Sequence, residues 1–153
     1  MTNASAPQNG TAAPGRRPIA LVAWGATEAI LGHSQAALAR VDVTRPQWWA
    51  LNNIARAERG LTREEIGAVA VPYGMGTEVI VHAADALAHR GWLGIGADGR
   101  LILTQQGREG LAAAKEHMDR VHAQILGDIT DEDHATTVAV LQRVIDNLAQ
   151  RPS

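Results

Sequence analysis

Cysteine and phenylalanine are absent from the 153 residues, and tyrosine occurs once. The first absence excludes disulfides, thiolate metal sites, thiol nucleophiles and thiol-based redox sensing together. The shortage of aromatics argues against broad sheets built on aromatic pairs. Charge is nearly balanced, with a formal net value of −2, so no global positive field advertises nucleic acid and any such role must rest on local features. The longest apolar runs are far below a membrane span. There is no serine elbow, phosphate loop or paired histidine–carboxylate spacing, so nothing specifies an enzyme or a cofactor.

What is present forms helices. Ala and Leu are frequent, and with 46% hydrophobic residues the chain is long enough for one core and too short for two ordinary domains. The segment MTNASAPQNGTAAPGRR, residues 1–17, is too small and polar to offset the entropy of ordering and reads as a disordered tail. Its arginines stand at the wrong end for a secretory signal, and the lack of cysteine fits the expectation of a cytoplasmic protein.

From Pro18 to Arg40, Trp24, Leu31 and Leu38 recur at steps of seven, with Ala20 and Leu21 extending a narrow helical seam. Thr44, Pro46 and Gln47 then form a capping box with proline in the first turn, starting a second helix at about 45 that buries Trp48, Leu51 and Ile54 and stops at Gly60. Thr62 and Glu65 make another capping box for a short third helix running to about 70. Pro72, Gly74 and Gly76 break it, and Thr77 is the expected cap of a fourth helix with Ile80, Ala84 and Leu87 on one face. A short helix, a turn and a second helix at this spacing is a helix-turn-helix pattern.

The stretch GWLGIGADGRLILTQQG, residues 91–107, folds two apolar runs around Asp98-Gly99, a strong hairpin signal. With those two residues as the turn, Ala97 should face Arg100, Ile95 should face Ile102 and Gly94 should face Leu103. Arg100 would stand near the tip of a flap that reaches outward. Thr104 caps a fifth helix with Leu111, Met118 and Ile125 at steps of seven and Val121 beside them, ending at Gly127. Thr130 and Asp133 start a sixth, striped by Val138, Leu141, Ile145 and Leu148. The class is therefore mostly α, in the order α-α-α-α-β-β-α-α.

In the segments TRPQWWALNNIARAERGLTREEIG at 44–67, DALAHRGWL at 85–93 and DGRLILTQQG at 98–107, the chain resembles the MarR (multiple antibiotic resistance regulator) family of winged helix-turn-helix transcription factors. With its helical flanks the match covers about residues 18–149. The resemblance implies a dimerisation helix at 18–43, a DNA-binding lobe at 44–103 and C-terminal dimerisation helices at 104–149. The partners it implies are a second copy of the chain, double-stranded DNA carrying a pseudo-palindromic operator, and a small-molecule effector; no membrane is implied. The hairpin would be the wing, and Asp98-x-Arg100 looks like the family's wing motif, whose arginine enters the minor groove. The hairpin is shorter than the family's usual wing and lacks its basic first strand. Where many relatives carry Ser, Thr and Arg at the front of the recognition helix, this chain has Thr77, Glu78, Val79, Val81 and His82.

Each candidate also has a plainer reading. Arg100 is a DNA-contacting wing cation or a solvated turn residue, and Asp98 is in large part the turn former that Asp-Gly requires. Arg90 pairs with Asp98 to set the wing angle, or is an ordinary cation at a helix C-terminus. Thr77 caps its helix and presents N–H groups to a phosphate. His82 donates to a base edge or phosphate, or is a surface polar residue; Val81 touches a thymine methyl or faces a dry corner of the helix-turn-helix. Arg63 is a phosphate clamp or a solvated side chain. From Thr44 to Thr104 six arginines face six acids, so electrostatic affinity per subunit is modest and dimerisation doubles it.

Trp48 and Trp49 are about 100° apart on a helix, so one belongs to the core and the other is free to line an effector cleft between the dimer helices and the lobe. Trp24, His33 and Met118 lie on elements able to reach that cleft, and each also reads as core. Among the six histidines, His117 and His122 are five apart on one helix and cannot chelate one ion from one face, so no metal site is expected. The leading reading is a homodimeric, ligand-responsive transcriptional regulator acting as a repressor. The alternatives are a winged protein-interaction module with little DNA affinity and a small-molecule carrier.

Overall fold

The computed structural model describes residues 17–150. The expected tail lies outside these residues except for Arg17. Six helices and one hairpin follow in the expected order: α1 (Ile19–Ala39), α2 (Arg45–Arg56), α3 (Arg63–Ala70), α4 (Thr77–His89), β1 (Leu93–Ile95), β2 (Leu101–Leu103), α5 (Gln105–Leu126) and α6 (Asp131–Ala149). A short 3-10 turn, Val71–Tyr73, links α3 to α4.

The helix starts at Thr44 and Thr62 are reciprocal capping boxes, each threonine accepting from the N3 backbone and each Gln47 or Glu65 side chain accepting from the threonine N–H. Two other ends differ from expectation. Helix α2 stops at Arg56 because Ala57 is already extended; Gly60 instead turns the chain at φ 72°. Thr77 does not cap α4: Gly76 holds the N-cap position without a side-chain hydrogen bond, and Thr77 is the first helical residue. The cause is packing between helices. A Cβ on Gly67 of α3 would lie 2.5 Å from the Thr77 methyl carbon, so that methyl fills the notch Gly67 leaves and brings the two helices together.

The core sits where α2, α4 and the hairpin meet α5. Leu51, Ile66, Ile80, Leu87 and Leu101 are completely buried, and Leu38 of α1 and Leu111 of α5 close it from the other side. The base of the hairpin is fixed by Trp92, whose ring lies over Gly110: a Cβ there would come 2.3 Å from the ring. Thr104 donates to the carbonyls of Gly91 and Trp92 at 2.7 and 3.1 Å and accepts from the Gly107 N–H at 3.0 Å, so one side chain ends the hairpin and begins α5.

The strand register is offset by one residue from the expected one. Leu93 faces Leu103, Gly94 faces Ile102 and Ile95 faces Leu101. A two-residue turn at Asp98-Gly99 would have given the other register. Instead the loop has three residues: the Gly99 N–H donates to Gly96 O, the Gly96 N–H to Arg100 O, and Gly99 takes φ 76°. The shift turns Leu101 inward, where it exchanges backbone hydrogen bonds with Leu61 of the segment before α3. The hairpin is thereby stitched to the helix-turn-helix.

The terminal helices are less enclosed. Helix α1 rests on α5 through its C-terminal half, where Ser34, Ala37 and Leu38 are buried, while Ile19, Leu21, Val22 and Trp24 in its first turns are exposed. Helix α6 buries no residue, and its stripe of Val138, Leu141, Ile145 and Leu148 is exposed.

Candidate nucleic-acid interface

Helix α4 turns Ile80, Ala83, Ala84 and Leu87 into the core. At 3.6 residues per turn, the side directly opposite carries Glu78, His82, Asp85 and His89, spaced i, i+4, i+7 and i+11. Glu78, His82 and His89 are exposed, as is Val79 at the edge of the stripe. A groove of about 910 Å³ runs along this outer side, bounded across from α4 by Thr44, Pro46 and Gln47 at the start of α2. Of the three α4 residues singled out from the sequence, only His82 lies on the outward stripe. Thr77, exposed with its methyl on Gly67, and Val81, half-buried against the core, line the groove from its inner edge. Glu78 and Val79, which also line this groove, were not singled out from the sequence. The signal was present, since the positions of Ile80, Ala84 and Leu87 fix which residues must point away.

Three of the lobe's six arginines, Arg63, Arg90 and Arg100, are held by groups of the chain itself. Arg63, at the first position of α3, reaches across to Asp85 of α4 at 2.6 Å and so ties the two helices of the motif together. Arg100 does not project outward from the hairpin tip as expected. Its guanidinium folds back to grip Glu65 with two hydrogen bonds of 2.6 and 3.0 Å and donates to Gly60 O at 3.1 Å. The bidentate geometry is the strong form of an arginine–carboxylate pair. Glu65 accepts simultaneously from the Thr62 N–H at 2.9 Å, so a single carboxylate caps α3 and holds the wing. The Arg100 hydrogen bonds, aided by the Thr62 N–H, keep the Glu65 carboxyl below the usual glutamate range, and Glu65 in turn raises Arg100.

The expected pair of Arg90 with Asp98 is not formed. Arg90 donates to the carbonyl of Asp42 and stacks over Trp92, 4.1 Å from the ring centroid, so it braces the turn after α1. Asp98 accepts from the Arg100 N–H at 3.3 Å and lies 3.8 Å from Arg59 and 3.6 Å from the Arg100 side chain. Its role within the chain is the turn. Arg59, whose side chain is 82% exposed beside Asp98, is the projecting cation at the wing and was not singled out from the sequence.

The five residues considered for an effector pocket do not converge. Trp48 and Trp49 are both half-buried and line one groove of about 440 Å³ with Arg56, Val69 and Pro72, between α2 and the end of α3. Asn52 and Asn53 form its floor, donating to the Trp48 and Trp49 carbonyls at 2.8 and 2.9 Å. His33 belongs to a different groove of about 290 Å³ between α1 and α5, shared with Arg40, His117 and Arg120. Trp24 is exposed on the first turns of α1, and Met118 packs on the core. The expected division of one core tryptophan and one cleft tryptophan therefore gives way to two indoles sharing one wall.

The arrangement of helices and hairpin is shared with solved regulators. A MarR-family transcriptional regulator from Rhodococcus sp. RHA1 superposes with a TM-score of 0.68 at 22% identity, covering 82% of this chain and 91% of that one. The fold is that of the MarR-family regulators. A Mycobacterium tuberculosis MarR-family protein solved in complex with DNA matches with a TM-score of 0.65 at 16% identity, over 84% of this chain and 98% of its own. CouR from Rhodococcus jostii RHA1, bound to p-coumaroyl-CoA, matches at 0.66 and 21% identity, over 89% and 94% of the two chains. No protein-family profile and no curated protein matches the chain. Among the described residues, no helix is long and apolar enough to cross a membrane.

Proposed function

We propose that the chain is a homodimeric, sequence-specific DNA-binding regulator of transcription, a cytoplasmic repressor released by a small ligand, and that it is not an enzyme. The observation that carries this reading is the helix-turn-helix with an outward side chain stripe on α4 and a hairpin stitched beside it, in a fold shared with a MarR-family protein solved on DNA. The exposed apolar residues of α1 and α6 support pairing with a second copy, because a lone protomer leaves them in water. Two copies related by a twofold axis would present two α4 helices to half-sites about one helical turn apart, 10 to 10.5 base pairs.

On this reading His82 contacts a base edge or phosphate. Arg63 and Arg100 reach the backbone only by sharing or leaving Asp85 and Glu65, while Thr77 and Val81 act by setting the approach of α3 to α4. The effector site is the Trp48–Trp49 groove, whose indoles and Arg56 suit a planar aromatic anion; the similarity to a repressor solved with p-coumaroyl-CoA supports a ligand of aromatic character. A gel-shift with the DNA flanking the protein's own gene, repeated across a salt series, tests the proposal: specific binding weakens linearly in log–log form as salt rises. Absence of any shifted band at low salt overturns it. That outcome would favour a winged interaction module, a reading supported by the pairing of Arg63 and Arg100 with acids and by the lack of any Lys or Arg in α4.

A further inference from the structure

A carboxylate on the outward side of a helix offered to DNA requires an explanation. Glu78 is exposed, sits at the second residue of α4 and, among the described residues, makes no ion pair or side-chain hydrogen bond. Asp85 on the same stripe is different, because Arg63 neutralises it. An acid in the first turn complements the helix dipole, which accounts for helix stability. It does not account for binding: facing phosphates, a free carboxylate repels, and phosphate contacts are made by cations and N–H groups.

The parts of a duplex that attract a carboxylate are the amino groups on base edges. In the major groove the cytosine N4 amino group is that base's hydrogen-bonding feature and is purely a donor, whereas the adenine amino group stands beside the N7 acceptor, which opposes a carboxylate. The N-terminal residues of a recognition helix are the ones that meet base edges. Glu78 is on that turn, with Val79 exposed beside it and His82 one turn further along the same stripe.

We propose that Glu78 is a specificity-determining residue that accepts a hydrogen bond from the N4 amino group of a cytosine in each half-site. This rests on the reading of the chain as a DNA-binding regulator. It assigns the outward acid a place in the groove, and predicts an operator with one obligatory cytosine per half-site whose neighbours are read by Val79 and His82.

The test is selection from a duplex library with two randomised half-sites, carried out with the wild-type protein and with Glu78→Gln, followed by affinity measurements on duplex pairs differing only at the candidate base. Thermal melting of both proteins confirms that the variant is folded. The wild type should enrich cytosine at one position of each half-site and lose about 5- to 150-fold in affinity when it is replaced. Glu78→Gln should lose that preference and gain one for adenine, which a glutamine amide can pair bidentately. A uniform gain in affinity for every sequence would mean that Glu78 merely repels the backbone, and an unaltered cytosine preference would mean that another residue reads it; either overturns the proposal while leaving the DNA-binding function standing. A wild-type protein that enriches no sequence overturns that function, and this inference with it.

Discussion

Two regions of this chain use the same apolar periodicity to different ends. In the lobe from Thr44 to Leu103, every helix finds its partner within the chain: Leu51, Ile66, Ile80, Leu87 and Leu101 are completely buried. In the terminal helices an equally regular pattern leaves Trp24 66% and Leu148 69% exposed. Periodicity therefore reports that a helix has an apolar face, and the topology decides whether that face is covered by the same chain or by another. The lobe's helices are buried within the chain, with Leu38 of α1 and Leu111 of α5 completing their core, whereas the exposed faces of α1 and α6 are covered only on the proposed dimer.

The contrast is sharpest for substitutions on the two apolar faces. Leu51→Ala in the lobe should cost about 2–5 kcal/mol and lower the melting temperature at every protein concentration. Ile145→Glu with Leu148→Glu on α6 should instead leave the lobe folded and halve the mass measured by light scattering, with a melting temperature that depends on concentration only in the wild type. Equal behaviour of the two variants would erase the distinction between the regions.

Next in size is the joint between the regions. Gly110→Ala would push a methyl to within 2.3 Å of the Trp92 ring and should cost about 1–3 kcal/mol in a thermal or urea melt. Within the lobe, the Glu65–Arg100 grip has a definite pH signature. Because the folded-state pKa of Glu65 is depressed, the stability it adds is present above its unfolded value near 4.5 and is lost as pH falls through the lower folded value. Glu65→Gln should therefore melt lower than the wild type at pH 7, with the gap closing in that acid window. A gap that stays constant to acid pH would detach the effect from Glu65 ionisation.

The smallest effect expected is at the projecting cation. Arg59→Ala should leave folding unchanged and shallow the salt dependence of DNA binding by about one unit per lost phosphate contact. For Arg100→Ala the main loss should appear as a lower melting temperature, since its guanidinium grips Glu65 and the Gly60 carbonyl.

The order of elements was legible in the sequence because local chemistry writes it: Thr44 with Gln47, Thr62 with Glu65, and Thr104 with the Gly107 N–H are short-range bonds that declare themselves in a few residues. The errors lie where distant segments compete for the same group. Thr77 has the chemistry of a cap but is claimed by the notch at Gly67. Asp98-Gly99 allows a two-residue turn, but the bonds between Leu61 and Leu101 go with the longer loop. Arg100 and Asp98 are two apart in a recognisable motif, and nothing local says that Glu65, 35 positions away, holds the arginine. The outward stripe of α4 was legible in principle, since the buried positions alone determine it. The groove shared by Trp48 and Trp49 was not, because its far wall comes from Val69 and Pro72, distant in sequence from α2.

Native mass spectrometry of the protein mixed with a duplex taken from the DNA flanking its own gene tests the central claim most directly, because it counts chains and DNA in one spectrum. The account predicts a complex of two chains on one duplex that forms in preference to one on scrambled DNA of the same length. Free single chains beside free duplex, or complexes indifferent to the sequence supplied, would contradict it.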